Sequence, residues 1–420
     1  MKTLFLLALH SAWNRKGTLM LMVISIALSV ILLLGVEQLR TGVRNGFSQS
    51  VSGTDLVIGA RTSPVQLMLY AVFRLGDATH NMHWSSFQKI AQRPAIAFAI
   101  PISLGDSHHD FPVIGTQSSY FEHFRYGARR TLAFKEGVAF TGIFDAVIGA
   151  DVAEKLHYQL NTSIILSHGS GEHGHAEHAD KPFRVAGILK RTGTPVDRSI
   201  HVSLEAIEAI HLDWQGGAPM PGVAIPAQYV SKFNLQPKEI TAVLIGLKSR
   251  SGVFQMQRYI NNFQDEALLA VLPGIALDEL WSIVSIVEKS LLAISGLVVA
   301  VGLSGLVAVV LAGLGERRRE LAVLRALGAG PLLIFLLLSV EGILVVLMGV
   351  LLGAAVVLVG SSLAAPWLQD RFGLVVVYTG LTSTAYCLLA SVIIGGTLAS
   401  LIAAYRAYRI SLIDGLMPRL

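Results

Sequence analysis

Four long apolar stretches place one hydrophobic segment near the start of the chain and three near its end. They cover residues 17–36, 290–314, 332–362 and 380–404. Each is long enough for a membrane-spanning helix, which needs about 20 apolar residues. Residues 40–282, between the first and second stretches, have mixed polarity. The pattern predicts an α-helical membrane protein with four transmembrane helices in a 1+3 arrangement and a large domain outside the bilayer.

The domain between the first two stretches is predicted to be α+β. Short apolar runs broken by Gly, Pro or Asp are typical of strands, and they occur at residues 55–60, 111–115, 146–149, 163–167, 183–189 and 242–247. Helical patterns occur at residues 84–91, 151–156, 203–211 and 252–264. Beyond residue 273 the pattern is helical and continues into the second apolar stretch. This continuity predicts a helical stalk at residues 278–289.

Basic residues predict the orientation of the chain in the membrane. They flank the apolar stretches in three groups: Lys2, Arg15 and Lys16; Arg317, Arg318, Arg319 and Arg325; Arg406, Arg409 and Arg419. Short cytoplasmic loops are enriched in Lys and Arg. Both termini and the middle group are therefore predicted to be cytoplasmic.

This orientation assigns the segments between the apolar stretches to two compartments. Residues 1–16 are predicted to form a cytoplasmic interfacial helix, residues 315–330 a cytoplasmic loop or helix, and residues 405–420 a cytoplasmic tail. The domain at residues 40–282 and a short loop at residues 364–379 are predicted to lie on the opposite side, in the periplasm.

Composition supports a membrane protein and excludes other classes. Of the 420 residues, 53% are hydrophobic and 15% are charged, whereas soluble domains have about 25% charged residues. The net charge is +5, but the mixed-polarity domain contains no extended basic cluster, so nucleic-acid binding is not expected. The only cysteine, Cys387, lies in the fourth stretch. The external domain is thus expected to have no disulfides.

The cytoplasmic segment at residues 315–330 is predicted to be an amphipathic helix. Leu321, Leu324 and Leu327 recur at helical spacing, with arginines on the opposite face. A helix of this kind, held parallel to the membrane between two spans, can dock another protein. The alternative is that its arginines serve only as a topology signal.

The features around this segment resemble the FtsX/MacB-type permeases of ABC transporters. The residues that carry the resemblance are Glu316, Arg317, Arg318, Arg319, Glu320, Leu321, Leu324, Arg325, Leu327 and Gly328, followed by Glu341, Gly349 and Gly353. Residues 55–61 and 187–195 are similar to the periplasmic core domain of this group. The resemblance covers the whole chain.

The resemblance implies a membrane subunit of an ABC transporter complex in the bacterial inner membrane. Such subunits form dimers, here of two copies or of two paralogues, and bind a separate cytoplasmic ATPase through the segment at residues 315–330. ATP-driven closure of the ATPase is then transmitted to the periplasmic domain. The implied tasks are export, handling of lipoproteins, lipids or peptides, or metal-linked transport. A periplasmic substrate-binding or adaptor protein and membrane lipid are the further partners expected.

Catalytic residues are not expected in this chain. It contains no Gly-x-x-x-x-Gly-Lys-Ser/Thr phosphate-binding loop, so ATP is expected to bind to the partner subunit. No nucleophile–base arrangement stands out. The alternative function is a membrane-anchored receptor or regulatory protein with a metal-binding ectodomain and no ATPase, which leaves the arginine–leucine segment unexplained.

Two features of the apolar stretches suggest specific roles. Glu341 lies within the third stretch, where a carboxylate pairs structurally, couples to the ATPase, or handles protons or ions. Gly349 and Gly353 form a G-x-x-x-G pattern, which permits close helix packing either within one chain or at a dimer seam. Small residues also recur every fourth position in the second stretch, at Gly296, Ala300, Ser304, Ala308 and Ala312.

Histidines are concentrated in the external domain. Twelve of the 13 lie between His80 and His211. Four of them, with flanking acids, fall in one short insertion: His168, His173, His175 and His178. Imidazoles and carboxylates are ligands of Zn²⁺ and Cu²⁺, so the insertion is a candidate metal site; the alternative is a solvated polar loop. A second, poorer group consists of His108, His109 and Asp110.

Overall fold

The computed structural model describes most of the chain in two compact units. The described residues are 16–50, 52–76, 78–169, 177–215, 218–220, 222–223, 225–316, 329–372 and 381–414. The membrane unit comprises Met1–Gly42, Ser285–Trp367 and Val376–Leu420; the core domain comprises Val43–Val284 and Leu368–Val375. The predicted interfacial helix before Lys16, residues 317–328, residues 373–380 and the tail beyond residue 414 lie outside the described residues.

The helices and strands alternate irregularly along the chain. The α-helices are α1 (Lys16–Gln49), α2 (Pro64–Ala71), α3 (Trp84–Ala91), α4 (Ser119–His123), α5 (Ala150–Lys155), α6 (Leu204–Ile210), α7 (Val253–Asn261), α8 (Pro273–Glu316), α9 (Pro331–Phe372) and α10 (Ser383–Asp414). The strands are β1 (Leu56–Ala60), β2 (Met82–His83), β3 (Ile96–Ile102), β4 (Asp106–His108), β5 (Phe111–Thr116), β6 (Arg125–Tyr126), β7 (Arg130–Thr131), β8 (Phe134–Gly137), β9 (Asp145–Ile148), β10 (Ser163–Ile164), β11 (Ser167–His168), β12 (Phe183–Leu189), β13 (Ile200–Ser203), β14 (Trp214–Gln215), β15 (Ala218–Pro219), β16 (Glu239–Ile240), β17 (Ala242–Leu247) and β18 (Leu268–Val271).

Four of these helices are long and apolar enough to cross a membrane, judged by length and composition. Their candidate spans are Lys16–Gly42, Pro273–Ala312, Pro331–Ala364 and Ser383–Arg406. Each helix extends beyond the apolar stretch that predicts it. The predicted stalk and the second stretch form one helix, α8, which contains no proline after its first residue, Pro273.

Glycines bring the helices of the membrane unit close together. A Cβ atom on Gly349 would lie 2.7 Å from Cβ of Ile26, and one on Gly353 would lie 2.8 Å from the carbonyl oxygen of Ala27. The G-x-x-x-G pair of α9 therefore packs against α1 within the chain. The buried side chains of this unit, such as Val30 and Val346, come from all four helices.

A partly buried ion pair within α1 also contacts α8 and the residue that precedes α10. Glu37 in α1 is almost fully buried, and its Oε2 lies 3.1 Å from Nε of Arg40 one turn later. The hydroxyl of Thr382, directly before α10, donates to Oε1 of Glu37 over 3.4 Å. Arg40 also lies 3.8 Å from Oε2 of Glu288 in α8. Removing Arg40 would leave the buried carboxylate of Glu37 without its charged partner, a change that destabilises a folded protein.

The core domain contains two main sheets. The first has four antiparallel strands in the order β18-β1-β17-β3. The second is mixed and has the order β10-β12-β9-β13-β5-β4-β11, and β8 also pairs with β12. In it, β9 pairs in parallel with β12, and β5 pairs in parallel with β13.

The hydrophobic core connects the two sheets. One cluster contains buried residues of the first sheet, such as Ile100 and Leu244, together with Ile114, Val147 and Leu189 of the second. A second cluster packs α3 and α7 on the first sheet. A third packs α5 and α6 on the mixed sheet. The α+β character predicted for this domain is confirmed.

Most predicted elements of the core domain are present, with two instructive differences. The strand predicted at residues 163–167 is divided into β10 and β11, which pair with different neighbours. Strand β3 was not predicted, and it contains Pro101. Proline cannot donate to a ladder and is tolerated at sheet edges, and β3 is an edge strand of the first sheet.

Replacing Gly353 by alanine is expected to weaken the packing of α9 on α1. Overpacking of this kind costs about 1–3 kcal/mol, so the thermal midpoint of the detergent-solubilised protein should fall. Gly360→Ala is the matched control, since a Cβ on Gly360 of the same helix meets nothing within 4 Å. Alanine also favours a helix over glycine by about 1 kcal/mol. Equal midpoints for the two variants would contradict the packing of α9 on α1.

Candidate metal centre

Strand pairing brings Asp106 and His168 together. The two residues are directly opposite each other in the antiparallel ladder between β4 and β11. Nδ1 of His168 lies 3.2 Å from Oδ1 of Asp106, and this hydrogen bond raises the pKa of His168. The Ser107 hydroxyl donates to the carbonyl of Gly169, which fixes the end of β11.

His211 is the C-cap residue of helix α6, and its ring faces this pair. The helix begins at an N-cap, Ser203, whose hydroxyl accepts from the amide of Ala206. Nδ1 of His211 lies 2.8 Å from the carbonyl oxygen of Ile207. Because a carbonyl only accepts, Nδ1 donates this hydrogen bond, and Nε2 is the ring nitrogen that faces the group. That Nε2 lies 3.2 Å from Nδ1 of His168 and 3.6 Å from Oδ1 of Asp106.

His178 is the most deeply buried member of the group. Its amide donates to the carbonyl of Leu166 over 2.9 Å, and its ring packs on Trp214 with 4.1 Å between centroids. Nε2 lies 3.9 Å from Oδ1 of Asp106. The side chain is 0% exposed, and neither ring nitrogen has a hydrogen-bond partner among the described residues. A buried polar group without a partner costs about 1–3 kcal/mol.

Burial also determines the charge of His178. It lowers the pKa of this imidazole to about 4, against the raising effect of Asp106. The ring is therefore neutral near pH 7. A neutral imidazole is the form that binds metal ions.

A buried ion pair holds the segment that carries His178. Lys181 is fully buried, and its Nζ lies 2.9 Å from each carboxylate oxygen of Asp213. Nζ also lies 2.6 Å from Oδ2 of Asp180. The amide of Ile225 donates to Asp213 over 3.0 Å. The pair ties the segment after the histidine insertion to the turn that follows α6.

The structure unites two of the four histidines predicted as metal ligands with two residues that were not predicted. Asp106, His168, His178 and His211 each offer one donor atom, and these atoms all lie within 4.8 Å of one another. His173 and His175 lie outside the described residues. Asp106 and His211 are 62 and 43 positions from His168. The only signal for His211 in the sequence is the general concentration of histidines in this domain, and Asp106 has none.

The second, poorer histidine group is a turn. His109 and Asp110 have φ angles of 46° and 64° and connect β4 to β5. Nδ1 of His108 lies 2.6 Å from the carbonyl oxygen of Ile165, and its Nε2 lies 2.9 Å from the hydroxyl of Tyr158. Both ring nitrogens of His108 are thus engaged, so these residues do not form a chelating set.

The other predicted site residues lie in or beside the membrane helices. Glu316 is the last residue of α8; residues 317–328, with the remaining coupling residues, lie outside the described part of the chain. Glu341 lies in α9 and is half-buried, whereas Gly349 and Gly353 are buried. The roles of Glu341 and of residues 316–328 stay predictions.

Comparison with known families identifies the chain. The profile of the MacB-like periplasmic core domain matches residues 18–261, and that of the FtsX-like permease C-terminal domain matches residues 292–412. The first match alone covers more than half of the chain. The protein therefore belongs to the FtsX/MacB-type permeases, the membrane subunits of ABC transporters. The resemblance seen in the sequence is confirmed.

Among solved structures, a similar chain is the extracellular domain of the noncanonical ABC-type transporter YknZ from Gram-positive bacteria. It shares 14% identity, with a TM-score of 0.30, and the match covers 52% of this chain and 99% of that domain. At this TM-score the likeness carries no argument. A comparison with curated proteins finds no match.

Replacing Lys181 by methionine is expected to destabilise the core domain. The substitution leaves Asp213 buried without its ammonium partner, a change that typically costs about 3–5 kcal/mol in the free energy of unfolding. Denaturant unfolding of the full-length protein, followed by tryptophan fluorescence, measures the effect. Lys190→Met is the matched control because Lys190 is exposed. If both variants unfold at the same denaturant concentration, the Lys181–Asp213 pair does not hold this segment.

Proposed function

We propose that this chain couples ATP hydrolysis by a separate cytoplasmic ATPase to conformational work of its own extracytoplasmic core domain. Membership in the ABC-transporter permeases supports an ATPase partner. The chain itself contains no phosphate-binding loop of the Gly-x-x-x-x-Gly-Lys-Ser/Thr type, so hydrolysis belongs to that partner. The receptor alternative is not favoured by this membership.

The observation that carries the proposal is the single unbroken helix α8. It begins two residues after β18, the last strand of the core domain, and ends at Glu316. Residues 317–328, here called the arginine segment, follow directly in the sequence. Its 44 residues correspond to about 66 Å at 1.5 Å per residue, roughly twice the about 30 Å of hydrocarbon in a bilayer. Rigid secondary elements of this kind carry coupling between distant sites.

The arginine segment is the proposed docking site for the ATPase. Residues 317–328 directly follow α8 and carry arginines together with leucines at helical spacing. A partner that moves this segment moves the end of α8 with it. The work performed by the core domain is then export, handling of lipoproteins, lipids or peptides, or metal-linked transport, with periplasmic and lipid partners as expected from the family.

A dimer formed through α8 completes the proposal. The small residues that recur every fourth position in α8 are exposed in the single chain: Gly296, Ala300, Ser304, Ala308 and Ala312. Small residues permit close approach of helices in a membrane. The other small-residue pair, Gly349 and Gly353, is already covered by α1. The small-residue face of α8 is therefore the surface that we propose for contact with a second copy or a paralogue.

The proposed orientation predicts that Lys135 and Arg318 face opposite sides of the membrane. The native cysteine is first removed as Cys387→Ser, and Lys135→Cys or Arg318→Cys is then introduced. In intact inside-out inner-membrane vesicles, an impermeant maleimide should label the Arg318→Cys variant, and label the Lys135→Cys variant only after the vesicles are opened. Labelling of both variants before opening, or of neither, would refute the 1+3 arrangement.

Loss of the basic and apolar residues of the docking segment should release the ATPase. The quadruple variant Arg317→Ala, Arg318→Ala, Arg319→Ala and Leu324→Ala is expected to recover at least about tenfold less ATPase from detergent extracts, since interface anchors of these types often contribute 1.4 kcal/mol or more. The matched control removes exposed charges from the core domain: Arg130→Ala, Lys135→Ala and Lys190→Ala. Undiminished recovery with the quadruple variant would remove the docking role.

A further inference from the structure

We propose that Asp106, His168, His178 and His211 together bind one Zn²⁺ ion per chain. The four residues come from the β4–β11 ladder, the last histidine of the insertion and the C-cap of α6. This site lies entirely within the core domain and is separate from the segment proposed to dock the ATPase. The inference therefore stands or falls independently of ATPase coupling.

The separations of the donor atoms suit a tetrahedral ion. Zn²⁺ binds imidazole nitrogen and carboxylate oxygen at about 2.0–2.2 Å, so two ligands at a tetrahedral angle lie about 3.3–3.6 Å apart. Asp106 Oδ1 and His168 Nδ1 are 3.2 Å apart, and His168 Nδ1 and His211 Nε2 are also 3.2 Å apart. Asp106 Oδ1 lies 3.6 Å from His211 Nε2 and 3.9 Å from His178 Nε2. Small side-chain movements are enough to place the four donor atoms around one ion.

The surroundings hold these side chains in the ligating orientation. The carbonyl of Ile207 accepts from Nδ1 of His211 and directs Nε2 towards the group, an arrangement that commonly orients histidine ligands. Cross-strand pairing fixes Asp106 and His168. The Lys181–Asp213 pair anchors the segment behind His178.

His178 is the observation that points most directly to an ion. Asp106, His168 and His211 form hydrogen bonds with one another or with the backbone, which would also explain an ordinary polar cluster. His178 is fully buried beside them, and among the described residues its ring nitrogens have no hydrogen-bond partner. A metal ion bound at Nε2 satisfies this nitrogen without a protein partner.

The site is closed on one side and open on the other. The side chains of Asp106 and His178 are 3% and 0% exposed, whereas those of His168 and His211 are 38% and 26% exposed. An ion therefore enters past His168 and His211 without unfolding of the domain. Because His168 and His178 bracket the histidine insertion, the ion joins both ends of that insertion.

Zinc titration of the full-length protein tests the proposal. The purified protein is treated with a chelator in detergent and titrated with ZnCl₂ in a calorimeter, and its thermal midpoint is recorded with and without zinc. One high-affinity ion per chain and a zinc-dependent rise of the midpoint are expected. Asp106→Asn and His211→Gln should each weaken this binding by at least about 100-fold, because loss of a direct ligand exceeds the effect of losing its outer partners.

Two control variants separate this site from other histidines. His80→Ala removes an exposed histidine outside the group, and the double variant His173→Ala, His175→Ala removes the two remaining histidines of the insertion. Both should bind one zinc ion with the affinity of the unaltered protein. If the double variant abolishes high-affinity binding while Asp106→Asn and His211→Gln retain it, the insertion alone binds zinc and the proposal fails.

A cobalt measurement on the unaltered protein does not depend on how the variants fold. Co²⁺ in a tetrahedral site with nitrogen and oxygen ligands absorbs visible light strongly, whereas an octahedral ion absorbs weakly. Stoichiometric strong absorption, displaced by zinc, is expected, together with quenching of Trp214, which packs on His178. Weak absorption, or no quenching of the tryptophan fluorescence by stoichiometric Co²⁺, would overturn the four-residue site.

Discussion

The lack of water inside a bilayer is the constraint on which the membrane unit depends. Backbone amides and carbonyls there must pair within their own segment, and only helices achieve this for single spans. Because lipid tails are as apolar as leucine, the hydrophobic effect does not hold the helices together. Close contacts do so instead: Gly349 and Gly353 let α9 touch the backbone of α1. The Glu37–Arg40 pair adds a polar connection among α1, α8 and the start of α10.

The core domain follows a different rule, because water surrounds it and apolar burial drives its folding. Two sheets share one cluster of buried side chains, and helices cover their remaining faces. At the edge of the mixed sheet, the short strands β4 and β11 bury little apolar surface. This edge instead brings polar side chains together. Asp106 lies opposite His168, and His211 at the end of α6 contacts His168. The candidate metal centre is thus a product of edge pairing rather than of the core.

The two proposals depend on separate parts of the chain. ATPase coupling rests on α8 and the arginine segment, together with membership in the permease family. The zinc site rests on four side chains of the core domain. If both hold, metal availability outside the membrane and ATP hydrolysis inside it act on one polypeptide. In that case both inputs reach the core domain.

The sequence by itself determined the four apolar helices, the α+β domain between the first two, and the permease family. These features follow from local patterns, since apolar length, helical spacing and a contiguous motif are all read within a few turns of chain. Only the tertiary structure decided which face of each helix is covered: Gly353 is buried against α1, whereas Ala300 is exposed. It also decided the ligand set. His168 belongs to a visible histidine cluster, but Asp106 and His211 reach it through strand register and a helix end, which are long-range pairings that no local pattern encodes.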